Sequence, residues 1–109
     1  MPAGKLAAQA GHAFLGAFLH AIQEAADRAA AYRADPPGTK VVLRSSGLQD
    51  LERACLRASR LGLPHVLITD RGHVLPPDFD GTPVVTALGV GPITRSEARG
   101  VTNHFKLAP

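Results

Sequence analysis

Three side chains that can carry charge, donate hydrogen bonds or move a proton lie close together near the start of the chain. In AGKLAAQAGHAF, residues 3–14, Lys5, Gln9 and His12 stand four and three residues apart among Ala, Leu and Phe. That spacing stacks them on one narrow face of a helix, and Gly16, His20 and Gln23 continue the line. A lysine neutralises an anionic oxygen or a phosphate, a primary amide donates hydrogen bonds, and an imidazole carries a proton or orients a carboxylate. A carboxylate suited to work with them closes the apolar run HVLITD, residues 65–70. Asp70 sits where a strand gives way to irregular chain, with Arg71, Gly72 and His73 behind it and Gly81-Thr82 ahead of the next strand. Chemistry in open α/β sheets gathers at such carboxyl ends. Each residue also has a plain structural reading: Asp70 as a turn former ahead of Gly72, Thr82 as a cap on its strand, His12 as a hydrogen-bonded structural side chain, the stripe as a solvent face. Because the stripe is narrow and its flanks are apolar, the helix reads as covered elsewhere, with the stripe lining a groove.

The elements that must position these groups follow from periodicity and punctuation. Residues from about Gly4 to Ala31 read as one long helix, stopped by Pro36 and Pro37 in RADPPGT. KVVLR, 40–44, is a short β-branched run. Ser46 with Gln49 forms a capping box, after which Leu48, Leu51, Ala54, Cys55, Ala58 and Leu61 repeat at helical spacing until Gly62. HVLITD and TPVVTALGVG, 82–91, are compact strand patterns separated by a loop holding Pro76, Pro77 and Gly81. Thr94 and Glu97 make a second capping box for a last short helix, and NHFKL closes the chain. Helices alternating with continuous apolar strands predict a layered α/β domain, with a small mixed, mainly parallel sheet of three to four strands flanked by helices.

A chain of 109 residues makes one domain with room for one core. With 45% hydrophobic and 19% charged residues it is a folding sequence and not a disordered one. Its apolar stretches fall short of the roughly 20 residues of a membrane span, and no secretory pattern opens it, so a cytoplasmic protein without a membrane partner is expected. Cys55 is the single cysteine, which excludes an intrachain disulfide and a thiolate cluster within one copy; its place on an apolar helix face reads as core. The five histidines lack ligand spacing, and no metal site is expected. Twelve basic against nine acidic residues give +3 and a pI near 9.6, which permits a polyanionic partner. Arg53, Arg57 and Arg60 recur at helical spacing and read either as a track for phosphates or as solvated surface.

GKLAAQAGHA at the start, KVVLR followed by a capped helix, GLPHVLITDRG, GTPVVTALGVGP and the closing NHFKL stand in an order and at spacings that resemble the peptidyl-tRNA hydrolase 2 family, from Gly4 to Leu107. The resemblance implies a mixed four-stranded sheet flanked by helices. It also implies cleavage of the ester joining a peptide to the 3′ ribose of tRNA, without metal or organic cofactor. Carried over position by position it marks Lys5, Gln9, His12, Asp70 and Thr82 as catalytic, and makes Lys5, Arg53, Arg57 and Arg60 the candidate contacts to tRNA. The chain is read as a divergent, bacterial-type member with two departures. Where the family begins with a strand and an Arg-Asp-Leu-type segment ahead of Gly-Lys, this chain has Met1, Pro2 and Ala3. The family's threonine after its Asp-x-Gly and the second threonine of its Gly-Thr strand align with Val74 and Val84. The first departure leaves an apolar strand short of a neighbour, a gap to be filled by upstream sequence or by a second copy in a homodimer. The second replaces two hydroxyls by methyl groups, so the alternative function is a non-catalytic RNA- or protein-binding module on the same fold.

Ester hydrolysis needs an activated water, a stabilised oxyanion and a proton for the departing 3′ oxygen. Asp70 would supply or orient the base: burial at a strand end raises a carboxylate's pKa, and a nearby Lys5 lowers it again. Lys5 would neutralise the oxyanion or a terminal phosphate, Gln9 and Thr82 would donate hydrogen bonds, and His12 would carry a proton or orient Asp70.

Overall fold

A computed structural model of the chain describes residues 2–70 and 84–108. In chain order the elements are α1 (Ala3–Glu24), α2 (Ala26–Arg33), β1 (Leu43–Arg44), α3 (Leu48–Arg60), β2 (His65–Asp70), β3 (Val84–Val90), α4 (Arg95–Thr102) and β4 (Lys106–Leu107). The centre is the antiparallel pair β2–β3, in register from His65↔Val90 to Asp70↔Val84. α1 lies on one face. Its buried residues Ala13, Ala17 and Ala21 repeat every four positions, and such small side chains let the helix backbone come close to the strands. At Gly89 the approach is tightest: a Cβ there would stand 2.2 Å from the carbonyl oxygen of Ala13, so only glycine fits. Gly16 of α1 lies over Val66 and Ile68 in the same way. On the other face Leu88 and Val90 pack against Ala54 and Ala58 of α3, Leu63, and Val101 of α4, with Ile93 and Phe105 closing the cluster.

The parallel sheet expected from the sequence does not form. Among the described residues there are two separate two-stranded antiparallel ribbons, β2–β3 and β1–β4, the latter pairing Leu43 with Leu107 and Arg44 with Lys106. Parallel neighbours need a crossover of a dozen or more residues, usually a helix, and the segment between β2 and β3 carries Pro76 and Pro77 and no helical period. The tail, not a βα unit, provides the partner of β1.

The single helix expected over 4–31 breaks at Ala25, whose φ of −149° and ψ of 59° leave the helical region. No glycine or proline marks that break. It lets α2 fold beside α1, with the Phe18 and Tyr32 rings 6.0 Å apart and tilted by 50°. It also brings Arg28 onto Glu97 of α4 in a two-pronged pair of 2.6 and 3.0 Å. The capping box at Thr94 and Glu97 forms as the sequence indicates. The one assigned to Ser46 and Gln49 does not: α3 starts after Gly47, and the backbone N–H and hydroxyl of Ser46 donate to the Asp50 carboxylate. Nor is α1 covered on both flanks, since Leu15, Leu19 and Ile22 are exposed. Among the described residues no helix is long and apolar enough to cross a membrane.

Candidate active site

α1 runs in the same direction as β3, with Gln9 lying at Thr86 and Ala13 at Gly89. Gln9 is the buried polar side chain of this face, 8% exposed. Burying an amide is costly unless it is paired, and here the Thr86 hydroxyl meets its Oε1 at 2.9 Å. Thr86 reaches the helix because the ladder is irregular. Ile68 pairs with Ala87 and Thr69 with Val85, so Thr86 is the extra residue of a bulge. Strict alternation from Gly89, which faces α1, would turn residue 86 to the opposite side with Leu88. The bulge re-aims it, leaving its hydroxyl 3.3 Å from the Ile68 carbonyl oxygen as well. With Oε1 accepting from a hydroxyl, the Nε2 hydrogens are the donors of this amide.

Lys5, half-buried, precedes Gln9 by one turn, a rise of about 6 Å. Two strand residues separate Thr86 from Val84, which pairs with Asp70 at the end of β2. Among the sequence-derived site residues, then, Gln9 is anchored on the hairpin, Lys5 lies one turn before it on α1, and Asp70 ends β2. His12 is exposed and does not join the Gln9–Thr86 contact. Thr82 and Val74 lie outside the described residues. Sequence reasoning missed Thr86: it looked for a hydroxyl at Val84, whereas one reaches the stripe from two residues further on. The available signal was that Thr86 is the one polar side chain in VVTALGV.

Arg53 and Arg57 project from α3 into a cleft of about 140 Å³ that they line with Asp50, His104 and Phe105. Hydrogen bonds from Ser46, with the charge of Arg53 adding to them, hold the Asp50 carboxyl below its ordinary range. Arg60 is exposed, outside that lining.

The family described as Peptidyl-tRNA hydrolase PTH2 matches residues 1–108 of this sequence. The chain belongs to that family. Among relatives of this PTH2 chain, the peptidyl-tRNA hydrolase of Halobacterium salinarum is 38% identical over 108 residues, covering 98% of this chain and 88% of the relative. That of Methanopyrus kandleri is 41% identical over 105 residues, 95% of this chain and 84% of its own. A probable peptidyl-tRNA hydrolase 2 of Dictyostelium discoideum is 30% identical over 107 residues, 98% of this chain and 49% of its own. The expectation of a bacterial-type PTH2 member draws no support from these relatives.

Proposed function

We propose that this chain hydrolyses the ester between a peptide, or an N-blocked aminoacyl group, and the 3′ ribose of tRNA, returning free tRNA. The observation that carries the reading is the Gln9–Thr86 hydrogen bond, which fixes an amide donor one turn from Lys5 at the end of the hairpin that Asp70 closes. Asp70 takes a proton from water as the water oxygen bonds to the ester carbonyl carbon. Negative charge moves to the carbonyl oxygen, where the Lys5 ammonium and the Gln9 Nε2 hydrogens stabilise it. Collapse of this adduct breaks the bond to the 3′ oxygen, which leaves with the proton Asp70 held. Thr82 adds a hydrogen bond to the reacting ester. His12, exposed on α1, carries a proton or orients Asp70. Lys5, Arg53, Arg57 and Arg60 meet the phosphates of tRNA, and the cytoplasm is where that substrate is found.

A homodimer is the assembly we favour. Leu15, Leu19 and Ile22 are spaced four and three apart on the exposed flank of α1, which is the spacing of an apolar seam between paired helices. Mass in solution decides this, and a monomer removes the dimer.

Incubation with N-acetylated aminoacyl-tRNA tests the reaction, with release of free tRNA as the readout. The chain is expected to release tRNA and Asp70→Asn to lose roughly 10²-fold or more. No release by the unaltered chain would favour a binding module. Undiminished release by Asp70→Asn would remove the carboxylate from the chemistry.

A further inference from the structure

Down one stripe of α1 run Ala3, Leu6, Ala10, Ala13, Ala17 and Ala21, three or four residues apart. The C-terminal half of the stripe is buried, at Ala13, Ala17 and Ala21. Its N-terminal half is not. Ala3 and its neighbour Ala7 are exposed and Leu6 and Ala10 are half-buried, and together with Val42 and Ala108 they line a groove of about 330 Å³. All six lining residues are aliphatic. A helix face that is apolar along its whole length and covered along half of it lacks a partner at the other half. The β1–β4 ribbon borders the groove through Val42 and Ala108. Among the described residues no Cα of β1 or β4 comes within 8 Å of a Cα in another helix or strand, so the ribbon stands off from α1 and from the hairpin. Two strands that share one neighbour lie about 9.6 Å apart, a spacing this separation admits. The ribbon has two residues in each strand, and such a pair is marginal in water without a third strand or a helix packed on it. The bond from the Ala108 N–H to the Val42 carbonyl oxygen makes Leu43 and Leu107 the pair whose backbone groups turn outward. Each edge of the ribbon thus offers an N–H and a C=O to a further strand.

We propose that this groove is a strand-acceptor site, which seats one extended peptide segment along the edge of the ribbon with its aliphatic side chains turned toward Leu6 and Ala10. The alanines of the stripe leave depth for Val, Ile or Leu on the segment, and the outward backbone groups of the ribbon supply its ladder. The relatives in Halobacterium salinarum and Methanopyrus kandleri carry 12% and 16% of their length outside the matched region, enough for a strand of five or six residues and a turn. Ala3 and Ala108, near the two ends of the present chain, both line the groove, so additional residues at either end of such a relative are delivered directly to it. The occupant is a segment of that kind, and the groove accepts it when it is supplied as a separate peptide. Seating it involves neither ester nor tRNA.

The test adds to the 109-residue chain a fluorescein-labelled synthetic peptide of the longest unmatched segment of the Halobacterium salinarum relative, or the same peptide with proline at its centre. The first peptide is expected to bind saturably by fluorescence anisotropy and to raise the melting temperature by several degrees. Hydrogen exchange should slow at Leu43 or Leu107, on the edge that pairs, and stay unchanged along α2. Proline has no N–H for the ladder, and its peptide should bind tenfold or more weakly. Ala7→Glu changes a residue that is exposed in the free chain, so the melting temperature of the chain alone should not fall, while affinity for the first peptide should drop tenfold or more. Absence of saturable binding, equal binding of the two peptides, equal affinity in Ala7→Glu, or slowed exchange away from the ribbon would each overturn the site. So would a chain that is dimeric in solution, takes up no peptide and becomes monomeric in Ala7→Glu, because a second copy would then fill the groove.

Discussion

Thr86 does at residue scale what the pattern of its strand could not announce. A threonine in VVTALGV reads as a β-branched filler, and only the bulge turns its hydroxyl toward Gln9. Thr86→Val keeps the shape and strand preference of the side chain and removes the proton that holds Oε1. The buried amide oxygen then loses its partner at about 1–3 kcal/mol, and the Nε2 donor is no longer fixed. We expect kcat to fall tenfold or more with a smaller change in KM, a melting temperature lower by several degrees, and recovery of kcat in Thr86→Ser; an unchanged kcat in Thr86→Val would detach this contact from the reaction. Gln9 and Lys5, by contrast, were legible in the sequence. Polar residues at helical spacing in an apolar run mark the margin of a buried face, and Gln9 lies on its buried side. Thr86 was not legible because a bulge depends on pairing with a distant strand, and no local period records it.

At the scale of elements, the helical segments were legible from their period or their stops, but the division of the first into α1 and α2 and the contacts between elements were not. The length of α1 gave no hint of the break at Ala25, which carries no glycine or proline and brings α2 to positions where Arg28 and Tyr32 find partners. The two apolar runs of β2 and β3 look the same whether paired parallel or antiparallel; the prolines and the lack of a helical period in the sequence between them were the cue for antiparallel pairing. Glycines within elements report such contacts more faithfully than hydrophobic pattern does. Gly89→Ala would force a methyl to within 2.2 Å of the Ala13 carbonyl oxygen, which is backbone and cannot rotate away. α1 must lift from the hairpin, at a cost of about 1–3 kcal/mol or more, and the Gln9–Thr86 bond goes with it. Gly11→Ala on the same helix meets nothing within 4 Å and should stabilise by roughly 0.5–1 kcal/mol. Thermal unfolding of the two variants should therefore shift in opposite directions, and a Gly89→Ala protein as stable as the parent would mean that α1 does not rest on Gly89.

Over the whole molecule, the helical layer of α1 and α2 and that of α3 and α4 are joined mainly through the hairpin between them, and the Arg28–Glu97 pair adds a polar clasp around its side. Arg28 also reaches the Pro92 carbonyl oxygen at 3.3 Å, while Glu97 accepts the Thr94 backbone N–H of its own capping box. One carboxylate thus holds a cap and a partner helix at once. Hydrogen bonding from Arg28, then from the Thr94 backbone, pushes the Glu97 pKa down from 4.5 to about 2. A carboxylate more acidic in the folded chain than in the unfolded one stabilises the fold fully above its unfolded value and loses that contribution as pH falls through the folded value. The clasp is therefore intact at neutral pH and weakens progressively between about pH 4.5 and 2. Both side chains are about 30% exposed, so solvent screening limits its worth to about 1 kcal/mol. Glu97→Gln should lower the melting temperature by several degrees at pH 7, and the gap between variant and parent should narrow steadily as the pH is taken below 4.5. Arg28→Met should show the same narrowing, because it removes the other half of the pair. A gap that stayed constant from pH 7 to pH 3 would mean that Glu97 acts through packing alone and that the two layers are held by the hairpin without it.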